Sequence, residues 1–282
     1  MIADQRNQYS RDGYAVVPDL LDTATLKMLL AEIEKICGNN TLAQHDKSRV
    51  EMEPNQESNG KLVRRIYQPC SYYEQFRRLS ESSGILENVE ALIGLNVIFH
   101  YSKINMKPAA IGSPVEWHQD LSYYPLTNDS SVTLLIYLDD ATVQNGCLQI
   151  VPKLHKSGVL DHTRNGFFVG KIVQSFDQST AVPLEGKAGT AIFMHCLTPH
   201  SSMLNSSARA RRTLILSYRA ADAFPIYVGK NTEEIEEHVR LVRGHRQQCA
   251  RFTFQQFPIP IQEKKTASLY ELQELSRQER AS

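Results

Sequence analysis

Asn96-Val97-Ile98-Phe99-His100-Tyr101-Ser102-Lys103-Ile104-Asn105-Met106-Lys107 is the stretch on which the fold is read. Val97, Phe99, Tyr101, Lys103 and Asn105 recur at every second position, so they share one face of an extended strand. From here the chain changes to strands and turns. Ser131 to Leu138 is a strongly apolar strand. Asn145-Gly146 is a tight-turn signal, and Leu148 to Val151 is expected to return as its partner. Ala191 to His195 and Thr213 to Arg219 complete the run.

Upstream, Gly13 to Val17 reads as a short strand. A helix follows, capped by Asp22 or Thr23, with Leu26, Leu29, Leu30, Ile33 and Ile36 at helical spacing and Gly38 ending it. Residues 39–60 read as a long loop. Lys61 to Tyr67 is a strand that places Arg64 and Arg65 on opposite faces, and residues 71–94 read as two helical pieces. Downstream of the strands, residues 155–180 read as a mixed loop and residues 232–249 as a polar helix. Leu269, Leu272 and Leu275 mark a charged helical tail.

Short strands between flanking helices imply a mainly β protein, a sandwich or jelly roll with helical cover. The expected organisation is a single domain over 1–282, with core strands at about 95–220 and helical cover at 20–94 and 230–282. A Rossmann rhythm is missing, and so are G-x-G-x-x-G and P-loop motifs.

Lys plus Arg equals Asp plus Glu, 31 each, in 282 residues, so the formal net charge is zero. That balance argues against nucleic acid or anionic lipid as a partner. The five cysteines, Cys37, Cys70, Cys147, Cys196 and Cys249, are scattered and odd in number, without C-x-x-C. This fits reduced thiols in the cytoplasm better than a disulfide framework or a zinc site. The N-terminus lacks an apolar signal core, and no apolar run approaches the roughly 18 residues of a membrane span. A homo-oligomer stays open.

The chemistry centres on Trp117-His118-Gln119-Asp120. His118 and Asp120, two residues apart, lie on one face of an extended segment. An imidazole and a carboxylate side by side can hold one metal ion. A second His would complete the two-His, one-carboxylate set of non-haem Fe(II) oxygenases. His200 is the best third ligand. His195 is its rival and reads as a packed histidine. Arg211 opens the next strand, where it could bind a carboxylate with two N–H groups, and Ser202 could add a hydroxyl. Arg212 competes with Arg211, but the two point to opposite strand faces. His155 and His162 read as surface loop residues, and Asp139-Asp140 as a solvated turn.

These residues resemble the phytanoyl-CoA dioxygenase family of Fe(II)/2-oxoglutarate-dependent oxygenases. The resemblance runs from about Gly13 to Arg219. It rests on Trp117-His118-Gln119-Asp120-Leu121, on Asn145-Gly146-Cys147-Leu148 followed by Val151-Pro152-Lys153-Leu154-His155, and on His200-Ser201-Ser202 with Arg211. One departure is Lys153-Leu154-His155, where many members have Gly-Ser-His. The resemblance implies a double-stranded β-helix of the jelly-roll, cupin-like type. It implies Fe(II) held by His118, Asp120 and His200, and 2-oxoglutarate held by Arg211 and Ser202, with Lys103 and Tyr137 as further contacts. It also implies O2 as co-substrate, with succinate and CO2 released. Related halogenases lack the Asp, so Asp120 points to hydroxylation of an unactivated C–H.

Tyr123 and Tyr124 follow the Asp and are expected to border the substrate. Arg64, Arg65, Asn105, Lys107 and Arg219 are candidates to meet it. Several cations and tyrosines around one cavity suit a small polar anion. An organophosphonate of the aminoethylphosphonate type or an amino-acid-like compound fits that description. The alternatives are an acyl-CoA, lipid or natural-product scaffold, and a cupin-like metal binder without catalysis.

Overall fold

The computed structural model describes residues 3–226, 238–262 and 269–278. Helix α1 (Ala3–Asp12) leads into β1 (Tyr14–Val17), then α2 (Thr23–Gly38), β2 (Val50–Met52) and β3 (Val63–Tyr67). Three short helices follow, α3 (Pro69–Tyr72), α4 (Glu74–Ser80) and α5 (Ser83–Ile93). The strands then run β4 (Val97–Lys107), β5 (Val115–His118), β6 (Ser131–Tyr137), β7 (Leu148–Ile150), β8 (Thr163–Arg164) and β9 (Phe167–Phe168). They continue with β10 (Val182–Leu184), β11 (Ala191–His195), β12 (His200–Ser202), β13 (Arg211–Ala220) and β14 (Arg240–Arg243), and α6 (Leu269–Gln278) comes last.

The strands make three sheets, antiparallel throughout. The large one has the order β1-β11-β6-β13-β4-β3-β2, with β14 added to β4. The small one is β10-β7-β12-β5, and β8-β9 is a separate hairpin. Strand β6 explains the layering. All seven of its residues are buried, because both faces are covered. Leu134 and Ile136 join the core that holds Leu29 and Ile33 of α2, Phe76 of α4 and Val89 of α5. Leu135 and Tyr137 face Leu148, Ile150 and Leu184 of the small sheet. Period-two alternation in one apolar strand thus feeds two cores. Burying each of these leucines and isoleucines contributes on the order of 1.5–3 kcal/mol. Helix α2 starts where expected: the Asp22 carboxylate accepts the Thr25 N–H at 2.7 Å, a cap worth about 1 kcal/mol.

The expected closed jelly roll, a double-stranded β-helix, is not what forms. The fold is mixed α/β, with three separate sheets, none closed into a barrel. Strands β1 and β2 end the large sheet, β10 and β5 end the small one, and among the described residues no ladder joins them. The physical reason is that the apolar inner faces meet through side chains, while the helices take the outer face of the large sheet. The returning strand is also different. Asn145-Gly146 does turn the chain, with Gly146 at φ +74°, but β7 pairs with β10 and β12 rather than with β6. The turn carries the chain from one sheet to the other.

Residues 232–237 of the expected 232–249 helix lie outside the described residues. Its described part holds β14, whose Leu241 pairs with Ile98 of β4. Helix α1 and the short strand β2, inside the expected 39–60 loop, were not legible in the sequence. Among the described residues no helix is long and apolar enough to cross a membrane.

Candidate metal centre and its surroundings

His118 ends β5 and His200 begins β12, and antiparallel pairing sets them opposite one another. Their ring centroids are 4.0 Å apart. Asp120 lies just past the strand end, in a 3-10 turn over Asp120–Ser122 that brings its carboxylate back beside both rings. Asp120 Oδ1 is 3.9 Å from His118 Nε2 and 3.7 Å from His200 Nε2. One ligand atom from each residue falls within 4.8 Å of the others.

The orientation of each donor is fixed. His118 Nδ1 donates to the Glu116 carbonyl at 2.8 Å and His200 Nδ1 to the Thr198 carbonyl at 3.0 Å. Carbonyls only accept, so each Nε2 keeps its lone pair for the shared space. Thr133 Oγ1 donates to Asp120 Oδ2 at 2.6 Å, which leaves Oδ1 facing the rings. Burial, then the neighbouring His200, holds the His118 imidazole well below its usual range, and burial lowers His200 too. Two neutral imidazoles and a carboxylate with an open side suit a divalent ion.

Gln119, between the ligands, is fully buried. Its amide donates to Leu197 O at 2.7 Å and Gly158 O at 2.9 Å and accepts from Leu160 N at 2.7 Å. Its backbone N–H donates to His162 Nε2 at 3.1 Å. His162 was expected at the surface but is 2% exposed and stacks on Phe168. His155 is buried as well, beside His195, and neither lines the metal cavity. Thr133 and Gln119 escaped the sequence reading. The hydroxyl of Thr133 among the apolar residues of β6 was the available signal.

The cavity beside the triad is lined by Lys103, Asn105, Ser202 and Arg211 among others. Arg211 and Lys107 are in register on β13 and β4 and point the same way. Arg211 is 4% exposed. It donates to Thr213 Oγ1 at 2.5 Å and to the Gly146 carbonyl, and its Nε is buried without a partner. Arg212 faces outward, gripping Asp139 at 2.7 Å and Glu34 at 2.9 Å. Asp140 takes Lys187 at 2.8 Å. The Lys107 ammonium is enclosed by the carbonyls of Ser113, Ser202 and Met203. Burial, then Arg65, lowers Lys103 to about 8. Tyr137 lies outside the cavity lining, its hydroxyl donating to Leu184 O at 2.7 Å and accepting from Leu148 N at 3.0 Å.

Arg64 and Arg65 do not divide between faces. The β2–β3 register shifts between Glu51 and Met52, and such a bulge breaks strict alternation. Both guanidinium groups lie over the Tyr270 ring of α6, at 4.4 and 4.8 Å. Arg64 is matched by Glu53 at 3.1 Å and Glu51 at 3.7 Å. Arg65 is 3% exposed, donates to Asn105 Oδ1 at 3.1 Å, and leaves Nη2 unpartnered. The Tyr123 ring packs edge-on against His118, with centroids 5.4 Å apart, and Tyr124 packs on His100. Arg219 is buried and donates to the Ala223 carbonyl. It is not among the residues lining the cavity.

A two-histidine, one-carboxylate triad held between facing sheets, in this fold, belongs to the iron(II)- and 2-oxoglutarate-dependent dioxygenases that act on small molecules. Residues 9–213 match the phytanoyl-CoA dioxygenase (PhyH) family, and the chain belongs to that family. A probable alpha-ketoglutarate-dependent hypophosphite dioxygenase of Stutzerimonas stutzeri is 33% identical over 233 residues, 80% of this chain and 81% of that protein. A methylphosphonate hydroxylase of Gimesia maris is 29% identical, over 77% of this chain and 80% of its own. The crystal structure of EctD from S. alaskensis with bound Fe shares the fold, with a TM-score of 0.70 over 88% of each chain at 21% identity.

Proposed function

We propose that the protein hydroxylates a C–H bond of a small anionic molecule, an organophosphonate or an amino-acid-like compound. The carrying observation is the charge of the cavity. Lys103, Lys107 and Arg211 line it, and Asp120 is the one acidic residue among the described residues that line it. Arg65 stands behind Asn105 with a free Nη2. Burying cations without matching carboxylates is costly unless anions arrive. The methylphosphonate hydroxylase among its relatives supports the same reading, and the probable hypophosphite dioxygenase supports the small phosphorus oxyanion, since hypophosphite has no C–H bond.

His118, Asp120 and His200 would hold Fe(II). Bound iron supplies the oxidising chemistry for C–H hydroxylation with O2, while 2-oxoglutarate becomes succinate and CO2. Arg211 fits the distal carboxylate of 2-oxoglutarate, because its guanidinium is buried, aimed into the cavity and not matched by an acid. Ser202 adds a donor beside it. Lys103 raises the local potential between the metal ligands and Arg65. A direct contact from Tyr137 to a carboxylate would break the bond its hydroxyl donates to Leu184 O, while the bond it accepts from Leu148 N ties β7 to β6. Tyr123, Tyr124, Arg64, Arg65, Asn105 and Arg219 are the candidate substrate residues; of these Asn105 lines the cavity, and Arg65 is bonded to it.

Succinate formation from 2-oxoglutarate with Fe(II) and O2, measured against a panel of alkylphosphonates, amino acids and acyl-CoA, tests the reading. The expected result is stimulation by a small anion. Stimulation by acyl-CoA alone would sink it.

A further inference from the structure

We infer that Gln273, on the terminal helix α6, is a positioning residue for the metal ligand His118. The inference rests on the iron-site reading above. Helix α6 lies outside the residues that match the family, 9–213.

Gln273 is fully buried, with its amide engaged at both ends. Its Oε1 accepts the Glu116 N–H at 3.1 Å. Its Nε2 donates to the Gly170 carbonyl at 2.6 Å and reaches the Tyr123 hydroxyl at 3.5 Å. These contacts run to His118 along two arms. Along the first, Glu116 is the residue whose carbonyl accepts His118 Nδ1–H, so fixing its amide fixes the bond that sets the imidazole tautomer. Along the second, Tyr123 donates to the same Gly170 carbonyl, and its ring packs on the edge of His118. Arg277, one turn on, holds the Glu116 carboxylate at 2.8 Å. A polar side chain is rarely buried so completely unless all its bonds are made. Here every partner of the Gln273 amide leads back to one ligand. Groups that orient a metal-binding histidine change metal affinity about 10- to 100-fold when removed.

Co(II) binding to the metal-free protein, measured by calorimetry, is the test, with the Co(II) visible spectrum as a second readout. Gln273→Met keeps the volume and removes the hydrogen bonds. It is expected to weaken Co(II) binding about 10-fold and to alter the spectrum. Gln273→Glu keeps the acceptor for the Glu116 N–H and, as the neutral acid that burial favours, an O–H donor for the Gly170 carbonyl, and is expected to stay within about threefold of wild type. It also serves if the Met variant does not fold. Leu272→Ala, which trims the packing of α6 beside Gly170 and leaves the Gln273 amide in place, should lower Tm and leave Co(II) affinity within about twofold. Wild-type affinity in Gln273→Met overturns the inference. So does a Glu variant as weak as the Met variant, or an equal loss in Leu272→Ala, which would mean that only helix docking matters. Wild-type protein that binds no Co(II) overturns the iron-site reading itself and the inference with it.

Discussion

Arg211 and Arg212 are chemically identical neighbours with opposite surroundings. Arg211 is buried against Thr213 and Gly146, with no acidic partner among the described residues. Arg212 is tied to Asp139 and Glu34. Truncating a buried charge that meets a ligand charge costs about 2–5 kcal/mol of binding. Arg211→Ala should therefore raise the KM for 2-oxoglutarate on the order of 100-fold. In the ligand-free protein it should leave Tm unchanged or higher, because an unmatched buried cation is removed. Arg212→Ala should do the reverse, lowering stability by about 1 kcal/mol, since the pair is partly exposed, with KM unchanged. Steady-state kinetics and thermal melts on the two variants decide between them, and a KM effect in Arg212→Ala alone would move the anchor to the other face. The triad was legible because two ligands lie two residues apart and the third sits beside Ser202 ahead of Arg211. Thr133 and Gln119 were harder to see, since a neutral side chain that steadies a ligand carries no spacing signature. Gln273 was beyond reach, because its partner Glu116 is 157 residues away.

Strand β3 shows how one element can defeat a parity argument. Alternation predicts one arginine inward, but a bulge opposite Glu51 and Met52 turns both toward Tyr270. Their duties differ even so. Arg64 is neutralised by Glu53 and Glu51 and donates to Ser113 at 2.9 Å. Arg65 has Glu51 only at 3.8 Å and a free Nη2. Arg65→Ala is expected to raise the substrate KM at least about 10-fold, with the KM for 2-oxoglutarate unchanged. Arg64→Ala should chiefly lower Tm, because it strands Glu53, which is 1% exposed. A panel of both KM values for each variant checks this, and equal substrate effects would mean that the bulge gives both arginines to the ligand. Sheet closure was misjudged for a related reason. Period-two patterning tells which residues face a core, but not whether two sheets join edge to edge. The apolar run of β6 fits either arrangement.

At the scale of the molecule, the site lies where two open sheets meet, so its ligands should bridge them. His118 and His200 come from the small sheet, while Thr133, Lys103 and Arg211 come from the large one. A metal and 2-oxoglutarate bound there would be held only by the folded state, and binding then stabilises by mass action. At a metal concentration 100-fold above Kd the gain is about 2.7 kcal/mol. With an unfolding entropy of roughly 2 cal/mol/K per residue, that raises Tm by about 4–5 °C. Adding 2-oxoglutarate should raise it again. Asp120→Ala is expected to lose the metal increment while keeping a metal-free Tm within about 2 °C of wild type, because it also removes a buried carboxylate. Arg211→Ala should keep the metal increment and lose the second. Thermal melts with Co(II), with and without 2-oxoglutarate, separate these outcomes. An Asp120→Ala protein that still gains the full Co(II) shift would place the metal away from the triad.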